Sequence, residues 1–247
     1  MRYVSTIFIL FVLILSAAPG HARAGAAADS LGPAVLPFQS DIYSFRFVAD
    51  VDGAAALFVN PAGLGARKDN SRIFGGIYQY DHLAEVPLGL AGENGGIGYL
   101  YQNTGAYKSH TYLMGLGAKL LPGLYAGTSL RWHHSDIEGP DRSPFAVDVG
   151  FLSRPHRYLS IGGLFRNVNN PRFIGGRLEE SFTGGVSLRP MTERVTLSGQ
   201  GDFVDNSKPG WLFGGRIMVI PGIELYGSYA VSYTHLTLPT TKAWGGG

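Results

Sequence analysis

The chain has 247 residues, of which 15% are charged and 36 are glycine, against shares of roughly 25% charged and about 7% glycine in soluble domains. A net charge of +2 gives no electrostatic footprint for nucleic acid or an acidic partner. The absence of cysteine excludes a disulfide framework, a thiolate metal site and a cysteine nucleophile.

Residues 1–24 have the pattern of a secretory signal peptide. Arg2 is the positive start, residues 7–15 are an unbroken apolar run, and Ala22-Arg23-Ala24 offers a cleavage site. That run is shorter than the ~20 residues a membrane helix needs. No longer apolar run follows, so if the mature chain is in a membrane it crosses as a barrel. Residues 25–40 are small and proline-interrupted, and read as a flexible leader.

Residues 41–66 differ from all that follows. Asp52 is placed to cap a short helix over Gly53 to Phe58. Asn60-Pro61 ends it, because the residue before a proline is pushed out of the α region. Gly63 and Gly65 are expected to prevent any resumption.

From residue 72 onward the chain alternates. Strands are expected near 72–80, 84–91, 95–103, 109–121, 124–133, 144–153, 157–167, 179–189, 194–204, 210–219 and 223–230. Residues 111–132 show the unit most clearly. On the first strand Tyr112, Met114, Leu116, Ala118 and Leu120 share one face, while Thr111, Gly115, Gly117 and Lys119 take the other. On the second, Leu124, Ala126, Thr128, Leu130 and Trp132 alternate with Tyr125, Gly127, Ser129 and Arg131. Between them Pro122 presets φ and Gly123 accepts the positive φ of a type II turn. Pro122, Pro155, Pro190 and Pro221 recur at near-even spacing, each between two alternating runs. Glu93-Asn94-Gly95-Gly96 reads as a further tight turn, and Pro87 belongs at an edge or bulge. Longer polar connections at 104–108, 134–143, 168–178 and 205–209 fall at the opposite end. Short turns at one end and long loops at the other suit an outer-membrane barrel.

A soluble β-fold also alternates, so the content of the two faces has to decide. The polar face carries sparse charges, namely Lys119, Arg131, Asp148, Arg166, Arg189, Asp202, Arg216 and Glu224, among glycine, serine and threonine. That suits a polar lumen lined by these candidate charges. The other face holds Leu159, Ile161, Phe165, Phe182, Val186, Val195, Leu197, Trp211, Phe213, Ile217, Ile223 and Leu225. Trp132, Phe145, Tyr158, Phe203, Trp211 and Tyr229 stand near strand ends, where interfacial girdles form. The expected fold is an all-β, antiparallel up-and-down transmembrane β-barrel over residues 67–230, with a short helical plug at 41–66.

Little in the chain points to catalysis. Gly115-Leu-Gly117-Ala-Lys119 and Gly63-Leu-Gly65-Ala-Arg67 lack the spacing and the strand-to-helix context of a phosphate loop, and read as strand and turn glycines. His133 and His134 are adjacent and point to opposite faces of a strand, so with Asp136 and Glu138 they read as a solvated loop cluster. Asp141-Arg142 and Glu179-Glu180 read as loop charges. No catalytic constellation, metal site or cofactor is expected.

Asp52-Gly-Ala-Ala-Ala-Leu-Phe-Val-Asn60-Pro61-Ala62-Gly63-Leu64 resembles the N-P-A-G-L segment of the FadL-like and PorV/PorQ-like outer-membrane proteins. The resemblance implies a plug inside the barrel, with Asp52, Asn60, Pro61, Ala62, Gly63 and Leu64 as its characteristic residues. It further implies export to the outer membrane of a Gram-negative-type bacterium and contact with outer-membrane lipid. The implied work is transport of hydrophobic small molecules, or service in a secretion system beside a protein partner. The stretch from Arg166 to Phe173, with Leu188-Arg-Pro190 and Arg194-Val-Thr-Leu197, also resembles the N-terminal barrel region of long SppA-like serine peptidases. On that reading the chain is a membrane anchor whose catalytic domain lies beyond Ala230. A third reading is a passive barrel that binds a partner through loops 134–143 and 168–178. Residues 231–247, beginning Val-Ser-Tyr-Thr-His-Leu-Thr-Leu-Pro-Thr, resemble a translated sequencing adapter. They are expected to be foreign to the protein, whose barrel strands would then be incomplete.

Overall fold

Alternation over eight to fourteen residues makes most of this chain extended, and tight turns make consecutive strands antiparallel neighbours. The computed structural model describes residues 46–66, 73–80, 83–103, 108–136, 143–173, 176–178, 180–190, 194–204, 209–220 and 223–231. The expected signal peptide, the leader, residues 41–45 and residues 232–247 lie outside the described residues, as do Pro221, Glu138, Asp141, Arg142 and Glu179.

The strands are β1 (Ile73–Gly75), β2 (Tyr78–Tyr80), β3 (Leu83–Ala91), β4 (Gly95–Asn103), β5 (Lys108–Leu121), β6 (Leu124–Ser135), β7 (Phe145–His156) and β8 (Leu159–Arg166). After them come β9 (Arg172–Phe173), β10 (Gly176–Arg177), β11 (Ser181–Leu188), β12 (Val195–Val204), β13 (Gly210–Ile220) and β14 (Ile223–Val231). Twelve form one antiparallel sheet in the order β1-β3-β4-β5-β6-β7-β8-β11-β12-β13-β14, with β2 also on β3. β9 and β10 pair with each other in the connection from β8 to β11. This is an up-and-down meander, as the alternation predicts.

Several details differ from the sequence reading. The strand expected at 72–80 is two short pieces, β1 and β2, laid end to end on β3. The break falls at Gly76-Ile77, opposite Pro87, whose carbonyl accepts the Gly76 N–H at 3.3 Å. Pro87 has no N–H to return, so the ladder lapses there. Pro155 lies within β7 rather than at a turn centre. The register shifts between Ser153 and His156, which accommodates a residue that cannot donate. The first tight turn centres on Glu93-Asn94, with Gly92 N–H bonded to Gly95 O at 2.7 Å. Gly95 and Gly96 already belong to β4. Strand β6 runs on to Ser135, so His133 and His134 are strand residues and not part of a loop. β14 reaches Val231, paired with Trp211, one residue into the tail expected to be foreign.

The β5–β6 turn has the expected geometry: Gly123 takes φ 79°. A Cβ there would also stand 2.6 Å from Arg154 O. Gly123→Ala is therefore expected to cost about 1–2 kcal/mol, read as a lower urea midpoint of the refolded protein.

Residues 46–66 form a compact plug. A single 3-10 turn (Gly53–Ala55) leads into α1 (Ala56–Val59), and α2 (Ala62–Gly65) follows directly. Asn60 is extended between them, at φ −157° and ψ 106°, as a residue before proline should be. The helix does resume after Pro61, against expectation. Pro61 presets the first helical φ, and close packing of Gly63 on Val51 O outweighs glycine's poor helix propensity.

The plug also reveals the curvature of the sheet. Phe58 packs on Phe74 of β1, with ring centroids 5.6 Å apart. Val48 N–H bonds Gln200 of β12, and the Arg46 guanidinium lies 4.5 Å from the Tyr226 ring of β14. A segment of this size can touch both ends of the sheet only if the sheet curls round it. Val48, Val51, Leu57, Phe58, Val59 and Leu64 form the core with Leu100, Leu113 and Leu164 of the inner wall. Each large apolar side chain buried there contributes about 2 kcal/mol.

Candidate functional site: the plug and the wall around it

Position within a strand decides which side chains meet the plug. Inward-facing positions near the short turns are repeatedly glycine, and the plug backbone lies directly on them. A Cβ on Gly117 would stand 2.5 Å from Gly65 N, one on Gly127 2.3 Å from Pro61 C, and one on Gly162 2.3 Å from Val48 O. On Gly150 it would stand 2.1 Å from Asn60 Oδ1. Such approaches leave no room for any side chain. Part of the glycine excess is thus a seat for the plug.

Asn60 is the centre of the seat and is fully buried. Its Nδ2 donates to Val48 O at 2.8 Å within the plug and to Phe151 O at 3.1 Å on β7. Its Oδ1 accepts the Ala62 N–H at 3.1 Å, which satisfies a donor at the start of α2. One side chain therefore joins both plug turns to the wall. Pro61 presses against Gly127, Ala62 and Leu64 are fully buried, and Gly63 lies on Val51 O.

Charge fixes the rim of the plug. Asp52 precedes the first turn but makes no side-chain cap. Its carboxylate instead meets Arg154 at 3.1 Å, and Arg154 also donates to Ala66 O at 3.3 Å. With both partners charged, this bond outweighs a cap on a neutral backbone N–H. Asp50 pairs with Arg189 and, at 3.3 Å, with Arg216. Arg216 continues to Glu224 at 3.0 Å, and Tyr226 donates to Glu224. Arg189, Arg216 and Glu224, expected as lumen charges, are thus tied to one another or to the plug.

Beyond the plug, towards the long connections, the interior turns polar. Arg131 pairs with buried Asp148 at 2.7 Å and donates to Asn167 Oδ1 at 3.0 Å. Asp148 also accepts the Asn167 N–H at 3.1 Å. Asn167 and Asn170 take positive φ, 57° and 46°, so the Arg166-to-Phe173 loop folds back onto β7 rather than standing free. Thr183 donates to Asp202 at 2.5 Å, and Gln102 donates to buried Glu85 at 2.6 Å. His133 is fully buried, with Nδ1 2.8 Å from Thr111 Oγ1, whereas a solvated loop position was expected. His134 points outward, 2.8 Å from Ser143 Oγ. Arg166 is half-buried at the end of β8. Lys119 is exposed near the β5–β6 turn, beyond the plug, and does not line the interior.

The outer face is apolar and uncovered. Leu88, Met114, Leu197 and Ile217 are each at least half exposed. Towards the long connections the aromatics fall into register. Tyr99, Tyr112, Trp132 and Phe145 are successive partners across β4 to β7. A second row, Phe165, Phe182 and Phe203, is in register across β8, β11 and β12, with Trp211 6.0 Å beyond; it meets β7 at Val149 rather than Phe145. Tyr158 is apart from them, near the other rim and under Arg157 at 4.6 Å.

No family model and no curated protein matches the chain. Among solved structures it is similar to one described as a NanC porin, with a TM-score of 0.43 and 13% identity. That similarity covers 64% of this chain and 85% of the porin.

The sequence reading missed Arg46, Asp50, Arg154 and the wall glycines as parts of this site. The glycines carried a signal: Gly117, Gly127, Gly150 and Gly162 share the inward parity and cluster towards the short turns. The plug anions carried none, because the ion-pair partners of Asp52 and Asp50 lie about a hundred residues away or more.

Proposed function

We propose that the chain works as an outer-membrane β-barrel of the FadL-like and PorV/PorQ-like kind, passing hydrophobic small molecules when its plug yields. The observation that carries the reading is the inversion of a soluble protein: an aromatic-edged apolar exterior round a plugged, partly polar interior. A wall whose large aliphatic side chains are half exposed is costly in water and favourable against lipid tails. Along the sheet from β3 to β13 every strand is paired on both sides, so that much of the wall satisfies its backbone within itself, as a membrane demands. The signal-peptide pattern of residues 1–24 supports export. The hydrophobic cargo is supported by the resemblance of residues 52–64 and by Leu100, Leu113 and Leu164, the apolar lining that the plug covers.

The test is entry of a fluorescent long-chain carboxylic acid into lipid vesicles carrying the full chain or a form lacking residues 52–64. Slow entry through the full chain and several-fold faster entry through the deleted form is the expected result. Equal entry through both, with the barrel shown folded by its heat-dependent gel mobility, overturns the passage reading.

A further inference from the structure

Arg154, Arg189 and Arg216 take inward positions on β7, just past β11 and on β13, towards the short turns. The side chains of Arg154 and Arg189 are each less than a tenth exposed. A guanidinium does not give up its charge, so one buried in a wall needs an anion beside it. Among the described residues the wall supplies the three with one carboxylate, Glu224 at 3.0 Å from Arg216. The plug supplies the others. Asp50 is bonded to Arg189 and stands 3.3 Å from Arg216, and Asp52 meets Arg154 at 3.1 Å.

Asp50 is held as a bound ligand would be. Its Oδ1 accepts from Arg189, and Arg216 reaches both oxygens, Oδ1 at 3.4 Å and Oδ2 at 3.3 Å. Planar guanidiniums suit such two-oxygen recognition. Arg216 also donates to Thr196 Oγ1 at 3.3 Å. A cleft lined by Arg46, Phe47, Asp50, Ser198, Arg216 and Tyr226 lies against the pair. The Nε of Arg154 is buried and has no hydrogen-bond partner among the described residues, so that cation keeps a donor in reserve. Withdrawing the plug removes two carboxylates and leaves three wall cations facing one. That imbalance opposes release unless another anion enters, and an uncharged apolar molecule brings none.

We propose that Arg189 and Arg216, assisted by Arg154, form an anion site of the wall. Its resident ligand is the plug's own Asp50, and the ligand class it accepts in exchange is a carboxylate. Asp50 and Asp52 are in this role stand-ins for the acid group of an incoming molecule, which competes with them for the same guanidiniums. The site rests on the passage reading only for what carries that acid group.

Asp50→Ala in the full chain removes the resident ligand and leaves room for another. Its urea midpoint, lowered by the loss, is measured in sodium formate and in sodium chloride of equal ionic strength, with wild type as the baseline for each salt. Formate in excess of its dissociation constant is expected to recover about half of the lost midpoint, and chloride, which has no second oxygen to offer, clearly less. Adding Arg189→Gln is expected to abolish the advantage of formate. Equal recovery in the two salts overturns the site. Should Asp50→Ala fail to show the heat-dependent mobility of a folded barrel, Asp52→Ala is read against Arg154 in the same salts: an advantage for formate supports the site and its absence overturns it. The two readings fail separately. A formate advantage with equal entry through the full and deleted forms strikes passage alone, and equal midpoints with faster entry through the deleted form strike the site alone.

Discussion

Asn60→Leu is expected to lower stability by about 3 kcal/mol, read as a fall in the urea midpoint with an unchanged slope. The substitution nearly preserves volume, so the loss is one of hydrogen bonds. Val48 O and Phe151 O lose the Nδ2 donor, and the Ala62 N–H loses Oδ1. Each buried polar group left without its partner costs ~1–3 kcal/mol. Asn60→Asp is expected to be worse, because a carboxylate oxygen would replace Nδ2 against two carbonyl oxygens. A urea midpoint within error of wild type for both variants would show that the plug is seated by packing alone.

The second large effect concerns a glycine whose environment admits nothing. Gly127→Val places its Cβ against the Pro61 and Ala62 backbone, with strand β6 fixed on both sides by β5 and β7. Neither backbone can give way as a flexible side chain could. The expected cost exceeds the ~3 kcal/mol of ordinary overpacking, enough to exclude the plug or prevent the folded form. Gly227→Val is the matched comparison. Nothing stands within 4 Å of a Cβ there, it faces outward, and valine favours strands. The folded fraction by heat-dependent mobility should therefore fall sharply for Gly127→Val and stay near wild type for Gly227→Val. Similar behaviour of the two would mean that the inward glycines serve the strands and not the plug.

The strands were legible because a period of two is imposed residue by residue, and most expected boundaries fall within two residues of the observed ones. The plug's position after Asp52 and its interruption at Asn60-Pro61 were legible for the same local reason. What was not legible depended on distant partners. Asp52 reads as a cap until Arg154 arrives from a hundred residues away, and His133 reads as a loop residue until β6 is seen to continue under it. The interior was expected to be polar throughout. It is apolar around the plug because Leu100, Leu113 and Leu164 share the parity of the polar residues but meet α1 and α2, and only the fold shows what lies opposite an inward position.

The Val48–Gln200 and Asp50–Arg216 contacts have a kinetic consequence. They join residues separated by 152 and 166 positions, so the plug, made early in synthesis, has its last partners made near the end. Closing such long loops is slow, and folding slows as contacts become less local. Until β12 and β13 exist, Val48, Leu57 and Leu64 have an incomplete enclosure and expose sticky surface of the kind that invites aggregation. The nascent chain therefore needs something else to shelter residues 46–66, and wall and plug should be lost together in a single cooperative transition.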